Sequence, residues 1–223
     1  MSTDDESPEE ITLEDLQRQI NVMRGSIYTC NLNNNKLKKK IYDLTIENSN
    51  LFDYINHVEI KVIEQDQYSR RSNVELKNVP ESVKQRDLEN YVLNVLSTLE
   101  IELVSYDLVA VHRLGKFIQG ANRSVIIRFI NRKEAYKCLK RGNKLADVVD
   151  SPYKNLYFTE NLCPTNKKVF NYLFKLKKTN KIHKVWSYSG DVYFKIKESD
   201  DPIKVYFIED VDNYLEPEVD QDN

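Results

Sequence analysis

The sequence predicts an α+β protein in which a long parallel coiled coil precedes a β-α-β-β-α-β domain and a small α+β domain. Three observations lead to this fold class. Apolar residues recur with a heptad period from Leu13 to Gln65, shorter helix and strand periods begin near Asn73, and one more amphipathic helix with three short strands follows Pro164. Periods of about 3.5, 3.6 and 2 residues indicate a supercoiled helix, a packed helix and a half-buried strand, respectively.

The heptad pattern has no break, and only two asparagines and Gln65 are polar among its core positions. A 3.5-residue repeat of this length stays in register only when helices supercoil around each other, whereas a single helix folded onto its own domain needs a wider apolar stripe. The predicted oligomerisation residues are Leu13, Leu16, Ile20, Met23, Ile27, Cys30, Asn34, Leu37, Ile41, Leu44, Asn48, Leu51, Ile55, Val58 and Val62.

The number of strands in the coil is left open between two and three. Branched residues at a positions, leucine at most d positions and asparagine at a favour a parallel two-stranded coil with a fixed register. The flanking e and g positions add little to this choice. Lys61 at a g position and Asp66 at an e position form the only pair of opposite charge between neighbouring helices. The predicted partner of the chain is therefore itself, as a dimer or a trimer.

Beyond the coil, pattern and composition divide the chain into further parts. Strands are predicted at residues 73–78, 107–114, 124–130 and 155–160, with helices at 87–99 and 132–141, which is the order of ferredoxin-like and RNA-recognition folds. A helix from about Asn166 and strands at 184–188, 191–197 and 203–207 are too small to be stable alone, so we expect them to pack on the preceding domain. The predicted boundaries are 1–10 for an acidic disordered start, 11–68 for the coil, 69–160 and 161–207 for the two domains, and 208–223 for an acidic disordered tail.

Charge is sorted along the chain although its net value is only -2. Five acids and no base lie in residues 1–10, and seven acids and no base lie in residues 208–223, which leaves 33 basic and 23 acidic residues between them, a net charge of about +10. A basic body with acidic ends is typical of proteins that bind polyanions. Acidic ends that only keep the chain soluble are the alternative.

The sequence carries no pattern of an enzyme, a metal site or a cofactor site. The three histidines are scattered, the five glycines form no phosphate-binding loop, and the three cysteines have no paired spacing. We therefore expect no catalytic residue, no metal and no cofactor. The acidic start is unlike a signal or transit peptide, and no apolar run approaches a membrane span, so reduced thiols in an intracellular protein are expected.

The densest chemical signal is a lysine-rich segment followed by aromatic residues. The segment from Cys163 to Lys184 holds seven lysines, with Lys184 the last, and no acid, and Trp186 and Tyr188 follow it. Cations that contact phosphates beside aromatic rings that stack on bases are what single-stranded RNA or DNA requires. The alternative is a solvated helix surface above a small aromatic core. The predicted nucleic-acid-binding residues are Arg70, Arg71, Arg113, Arg128, Lys167, Lys168, Lys175, Lys177, Lys178, Lys181, Trp186 and Tyr188.

Several segments recur here in an order that resembles a known group of proteins. They are Tyr-Ser-Arg-Arg-Ser-Asn at 68–73, Val-Pro-Glu at 79–81, Val-His-Arg-Leu-Gly at 111–115, Ser-Val-Ile-Ile-Arg-Phe-Ile at 124–130, Tyr-Phe-Thr-Glu-Asn-Leu at 157–162, and Lys-Leu-Lys-Lys at 175–178 leading to Lys-Val-Trp at 184–186. Behind a coil, this order resembles the FP ("few polyhedra") proteins of baculoviruses and the coiled-coil nucleic-acid-binding proteins that LINE-type retrotransposons encode in their first reading frame.

The resemblance implies an oligomeric coil, an RNA-recognition-like domain and a C-terminal domain that grips single-stranded nucleic acid. The short chain and its acidic tail favour the viral FP branch, for which the resemblance implies a role in virion envelopment and occlusion, association with nucleocapsid proteins, and a location in the host cytoplasm and nucleus and in the virion. The other hypotheses are a LINE retrotransposon particle protein, and a coiled-coil protein–protein adaptor that binds no nucleic acid.

Overall fold

A computed structural model describes residues 12–147 and 151–215, and the described chain divides at residue 58 into two compact units. One long helix runs through the first unit into the second, which holds all the strands. The elements are α1 (Leu13–Ser69), β1 (Asn73–Lys77), α2 (Leu88–Ser97), β2 (Leu108–Arg113), β3 (Val125–Phe129), α3 (Arg132–Arg141), β4 (Tyr157–Glu160), α4 (Pro164–Lys178), β5 (Lys184–Tyr188), β6 (Asp191–Lys195), β7 (Ile203–Val205) and α5 (Ile208–Leu215). The predicted α+β class and its long N-terminal helix are confirmed.

Helix α1 is 57 residues long and begins where the sequence supplies a cap. The backbone amide of Asp15 donates to Thr12 Oγ1 over 3.3 Å, which satisfies one of the free amides of the first turn. Every apolar core position of the heptad from Leu13 to Val58 is exposed in the single chain, between 41% and 74% for those whose exposed fraction is given. So many exposed apolar side chains on one face are costly in water, and a coil would bury them.

Strands β1 to β4 form an antiparallel sheet in the order β2-β3-β1-β4. Burial alternates along β3, where Val125, Ile127 and Phe129 are buried and Arg128 is exposed, as a half-buried strand requires. Helices α2 and α3 cover the buried face with Val92, Leu96 and other apolar residues, and the resulting core is continuous. The sheet therefore has one packed face and one face that carries polar side chains.

The C-terminal part has its own core between α4, a three-stranded antiparallel sheet in the order β5-β6-β7, and α5. Leu173 of α4 and Phe194 of β6 are fully buried in it. The predicted hairpin turn lies between β5 and β6, where Ser189 and Gly190 both have positive φ angles. Strands β6 and β7 each end two residues before the predicted ends at 197 and 207.

Helix α5 corrects part of the predicted disordered tail. Residues 208–215 form a helix although they are rich in acids, because Ile208, Val211 and Leu215 recur at helical spacing and pack on the C-terminal core. Val211 is fully buried, and the Tyr172 hydroxyl donates to Asp212. The predicted acidic start and residues 216–223 lie outside the described residues.

Within residues 12–147 and 151–215, no helix is long and apolar enough to cross a membrane. In the same ranges, no three His, Cys, Asp or Glu side chains are grouped so that they could hold a metal ion.

Gly190 is the glycine whose replacement we expect to destabilise the fold most. Its φ angle is +87°, and a Cβ atom there would lie 2.3 Å from the side chain of buried Gln67. We expect Gly190→Ala to lower the free energy of unfolding by about 2–4 kcal/mol, the sum of left-handed backbone strain and overpacking. Urea unfolding of the full chain measures this change. Gly25→Ala is the matched control, because its Cβ meets no atom within 4 Å and alanine favours a helix; equal unfolding curves for Gly190→Ala and the wild type would contradict the prediction.

Candidate nucleic-acid interface

The last turns of α1 pack on the β-sheet domains through one face of the helix. Ile63 and Gln67 are buried there, and the Tyr206 hydroxyl donates to Glu64 Oε1 over 2.9 Å. Val62, which belongs to the heptad stripe, remains 62% exposed. The packed face and the heptad stripe therefore lie on different sides of the helix, so the stripe stays available to a neighbouring helix up to the end of α1.

Gln67 joins the end of α1 to the segment between β4 and α4. Its Nε2 donates to the carbonyl of Asn161 over 3.2 Å, and its Oε1 accepts the backbone amide of Cys163 over 2.8 Å. The Gly190 turn lies directly against the same side chain. The Gly190 carbonyl accepts from Asn166 over 2.8 Å, and its amide donates to Glu160 over 3.1 Å. A buried amide with both ends bonded fixes α1, β4 and the β5–β6 turn relative to one another.

A buried carboxylate, Glu75, organises the polar side chains beside Gln67. It is 2% exposed and accepts from Asn161 Nδ2 over 2.8 Å, while Lys77 and Lys167 form ion pairs with it. Burial by itself raises the pKa of Glu75, but the hydrogen bond and charge of Lys77, together with Asn161 and Lys167, outweigh it and hold the pKa below its usual value. Asn161 Oδ1 in turn accepts from Arg70 over 3.3 Å, so the arginine is oriented by this network.

The end of α1, helix α3 and the β5–β6 turn enclose a cleft of about 590 Å³. A cavity of this volume is large enough for a ligand of nucleotide size. Glu160 is the only acid among its lining residues. We call this feature the basic cleft and define it by its five cations and two tyrosines: Tyr68, Arg70, Arg71, Arg132, Lys133, Tyr136 and Lys137.

The cations of the basic cleft differ in how far protein partners already satisfy them. Arg70 pairs with Asp66 over 2.9 Å and Lys137 pairs with Glu134 over 3.0 Å. The Arg71 guanidinium lies 3.4 Å from the centre of the Tyr68 ring. Arg132 and Lys133 are exposed and form no ion pair within the described residues, so their charges are available to an anionic ligand.

Two of these cations, Arg70 and Arg71, are predicted from the sequence, whereas the three on α3 are not. Arg70 and Arg71 are predicted at the end of the coil, and the structure brings them into the cleft. Arg132, Lys133 and Lys137 stand on a short amphipathic helix and look like an ordinary solvated surface. A signal was present, because three cations lie within six residues that follow a strand, but only the tertiary fold shows what they face.

The predicted lysines of the C-terminal segment are all exposed. Lys168, Lys175 and Lys178 share one stripe of α4 by their spacing of seven and three residues. Lys167 is tied to Glu75 over 3.5 Å and helps to cover that carboxylate. Lys177 and Lys181 lie at the end of α4 and in the loop after it. The lysines therefore line the surface of α4 rather than the basic cleft.

The aromatic residues after the lysines lie on the small sheet. Trp186 and Tyr193 are directly paired across β5 and β6, with ring centres 5.9 Å apart and planes inclined by 15°. The Lys184 ammonium lies 5.3 Å from the Trp186 ring, and Tyr188 is 61% exposed. Since alternate residues such as Phe194 face the core, this pair belongs to the opposite face of the sheet, where a base could stack.

The two predicted arginines of the four-stranded sheet have different surroundings. Arg128 is exposed and lies beside Asn73 in the β1–β3 register, one strand away from the basic cleft that Asn73 helps to line. The Arg113 side chain is only 5% exposed and donates to the carbonyls of Val79 and Val83 over 3.0 and 2.9 Å. Its burial lowers the pKa of the guanidinium. Because Arg113 is enclosed by protein acceptors, we do not include it in the interface.

Neither a scan against models of protein families nor a search of curated proteins finds a match to this chain.

Proposed function

We propose that this protein is an oligomeric, non-enzymatic protein that binds single-stranded RNA or DNA. The observation that carries the proposal is the basic cleft, which gathers five cations and two tyrosines from the end of α1, the turn after it and α3. Cations neutralise backbone phosphates and release counterions, and aromatic rings stack on unpaired bases. A recessed cleft of this kind admits a flexible strand more readily than a duplex, whose bases are already stacked.

Two surfaces extend the proposed interface beyond the basic cleft. One is the α4 stripe with Lys168, Lys175 and Lys178, and the other is the Trp186–Tyr193 pair with Lys184 beside it. Both belong to the predicted lysine-rich and aromatic segment. In the proposed complex these two surfaces hold the nucleic-acid strand where it leaves the basic cleft. The four-stranded sheet, with its exposed Arg128, then corresponds to the RNA-recognition-like domain that the resemblance implies.

Oligomerisation through α1 supports the proposed binding function by bringing several clefts together. Arg70 and Arg71 follow directly after the heptad stripe, so a parallel coil holds the clefts of two or three chains near its end. One long strand that contacts more than one cleft gains avidity, because its second contact is intramolecular.

The resemblance to FP proteins supplies the proposed biological setting. In that setting the oligomer acts in virion envelopment and occlusion in the infected cell, with nucleocapsid proteins and their nucleic acid as partners. The proposed locations are the host cytoplasm and nucleus and the virion.

The salt dependence of binding tests the proposed function. We expect a labelled single strand of about 30 nucleotides to bind tightly at low salt, with an affinity that falls by about 0.7 log units per neutralised phosphate for each log unit of salt. Fluorescence anisotropy across a salt series measures this slope, and light scattering on the same samples gives the oligomer mass. Binding that ignores salt, or no binding at low ionic strength, would refute the proposal. A duplex of equal length is the control, and we expect it to bind more weakly.

A protein–protein adaptor is the second candidate, and outward positions of the coil favour it. Tyr28, Leu32, Tyr42 and Ile46 occupy b and f positions and are between 45% and 72% exposed. Such positions normally carry polar residues, so they offer apolar contacts to another protein. An adaptor would keep its partners after Lys175, Lys177 and Lys178 are replaced by glutamate, whereas a nucleic-acid-dependent association would be lost in the same pulldown.

A further inference from the structure

The loop between β2 and β3 carries an exposed apolar tip. Phe117 and Ile118 are 63% and 65% exposed, and they lie between Gly115 and Gly120, which have φ angles of +76° and +80°. A Cβ atom added to either glycine would meet nothing within 4 Å, so both ends of the tip have open space on that side of the backbone. Two large apolar side chains at the tip of a protruding loop are not needed for the core.

The root of this loop is clamped by a charged cluster. Glu81 pairs with Arg113 Nη1 over 3.1 Å and with Arg123 Nη2 over 2.9 Å, and the Arg123 amide donates to the same carboxylate over 3.0 Å. The hydrogen bonds from Arg123 hold the pKa of Glu81 at about 2, so its charge persists across the physiological pH range. Arg113 is buried between the loop root and the carbonyls of Val79 and Val83. A rigid root thus presents the tip, and the Arg123 guanidinium of that root lies 5.8 Å from the centre of the Phe117 ring.

Cations without an ion pair lie in the loops at the same end of the sheet as the tip. The antiparallel register places the end of β1, the end of β2 and the start of β4 at the same end of the sheet as the loop. Contacts between loops confirm this arrangement, because Asn78 donates to the carbonyl of Asn155 over 3.1 Å and Asn122 donates to the carbonyl of Asn78 over 3.4 Å. The exposed cations that these loops carry, and that form no ion pair within the described part of the chain, are Lys84, Lys116 and Lys154.

We propose that this tip inserts into the surface of an anionic lipid bilayer. Phe117 and Ile118 would enter the boundary between headgroups and acyl chains, while Lys84, Lys116 and Lys154 contact lipid phosphates and carboxylates. The three lysines favour an anionic lipid surface over a neutral apolar groove on another protein. An apolar loop tip can bury its side chains in a bilayer without a pocket of matching shape. Glu81, the acid at the root of the loop, is already bonded to two arginines.

Vesicle cosedimentation of the nuclease-treated full chain tests the proposal. We expect the protein to pellet with vesicles made of equal parts phosphatidylcholine and phosphatidylserine, and to stay in solution with phosphatidylcholine alone. Phe117→Ser/Ile118→Ser should reduce the bound fraction at least about tenfold, because insertion energy scales with buried apolar area. Tyr106→Ser is the control, since Tyr106 is 89% exposed elsewhere in the same domain, and it should bind as the wild type does.

A fluorescent probe at the tip distinguishes insertion of the tip into the bilayer from electrostatic attraction to the bilayer surface. Ile118→Cys in a Cys30→Ser background makes the introduced thiol the one exposed thiol of the described residues, because Cys138 and Cys163 are buried. An environment-sensitive dye on that thiol should shift to the blue with serine-containing vesicles. Any one of three results would overturn the proposal. The wild-type protein fails to bind these vesicles, the double serine variant binds them as well as the wild type does, or the emission of the dye does not shift. Single-strand affinity should be unchanged in the double serine variant, so a failure here leaves the nucleic-acid proposal standing.

Discussion

Replacing two cations of the basic cleft, Arg132→Glu and Lys133→Glu, is expected to weaken binding of a single strand by about a hundredfold at low salt. Both side chains are exposed and form no ion pair within the described residues, so the change removes phosphate contacts and adds repulsion without removing a contact of the fold. The slope of log affinity against log salt should become shallower by about 1.4 if each residue meets one phosphate. Anisotropy across a salt series measures both quantities.

A matched control separates the basic cleft from overall charge. Lys36→Glu/Lys39→Glu makes the same change in net charge at outward positions of α1, away from the heptad stripe. We expect this variant to lose less than about threefold in affinity, because exposed charges beyond about 10 Å are screened at 0.1 M salt. Equal losses in the two double variants would show that affinity follows net charge, and the basic cleft would then no longer carry the proposed function.

Regular periods explain which parts of this fold the sequence predicts well. A heptad stripe is a local repeat, and the helix it predicts ends at Ser69, one residue past the predicted end of the coil at 68. The strands of the four-stranded sheet follow from alternation in the same way. The acidic composition of residues 208–215 predicts disorder, whereas the apolar spacing of Ile208, Val211 and Leu215 indicates the helix that forms there.

The basic cleft could not be assembled from the sequence because its residues come from distant segments. Arg70 and Arg71 stood out beside the coil, but Lys133 reaches the same cavity only because α3 packs on the sheet against β1, β3 and β4. The role of Gln67 was equally hidden, since a polar residue at an outward heptad position looks solvated until its buried partners are known. The surroundings of Arg113 were hidden as well, because an arginine on a strand gives no sign of the carbonyls that enclose it.

Breaking the heptad stripe is expected to convert the proposed oligomer into a monomer. Leu37→Asp/Leu44→Asp places two charges at d positions, where a coil would bury them without a partner, and each costs several kcal/mol per helix. Light scattering should report the mass of one 26.3 kDa chain. Affinity for a strand of about 30 nucleotides should fall at least tenfold through lost avidity, whereas affinity for a strand that fills one cleft should change little.

The control for this variant is Leu32→Asp at an f position. Leu32 and Leu44 are similarly exposed in the single chain, at 46% and 48%, so only their places relative to the heptad stripe differ. We expect Leu32→Asp to remain an oligomer with unchanged affinity. Two results would show that the chains do not associate through the predicted stripe. One is a monomeric Leu32→Asp variant, and the other is a Leu37→Asp/Leu44→Asp variant that remains an oligomer.

Oxidation at Cys30 tests the direction and register of the proposed coil. Residue 30 occupies a d position, so a parallel, unstaggered coil brings the Cys30 residues of two chains within the distance that a disulfide spans, and mild oxidation should yield a covalent dimer. Burial raises the pKa of Cys138 to about 12, and Cys163 is also buried, so neither thiol competes. Cys30→Ser should abolish the crosslink. An antiparallel or staggered coil would keep the oligomer mass but separate the Cys30 residues, so an oligomer that does not crosslink would rule out the parallel arrangement that brings the clefts together.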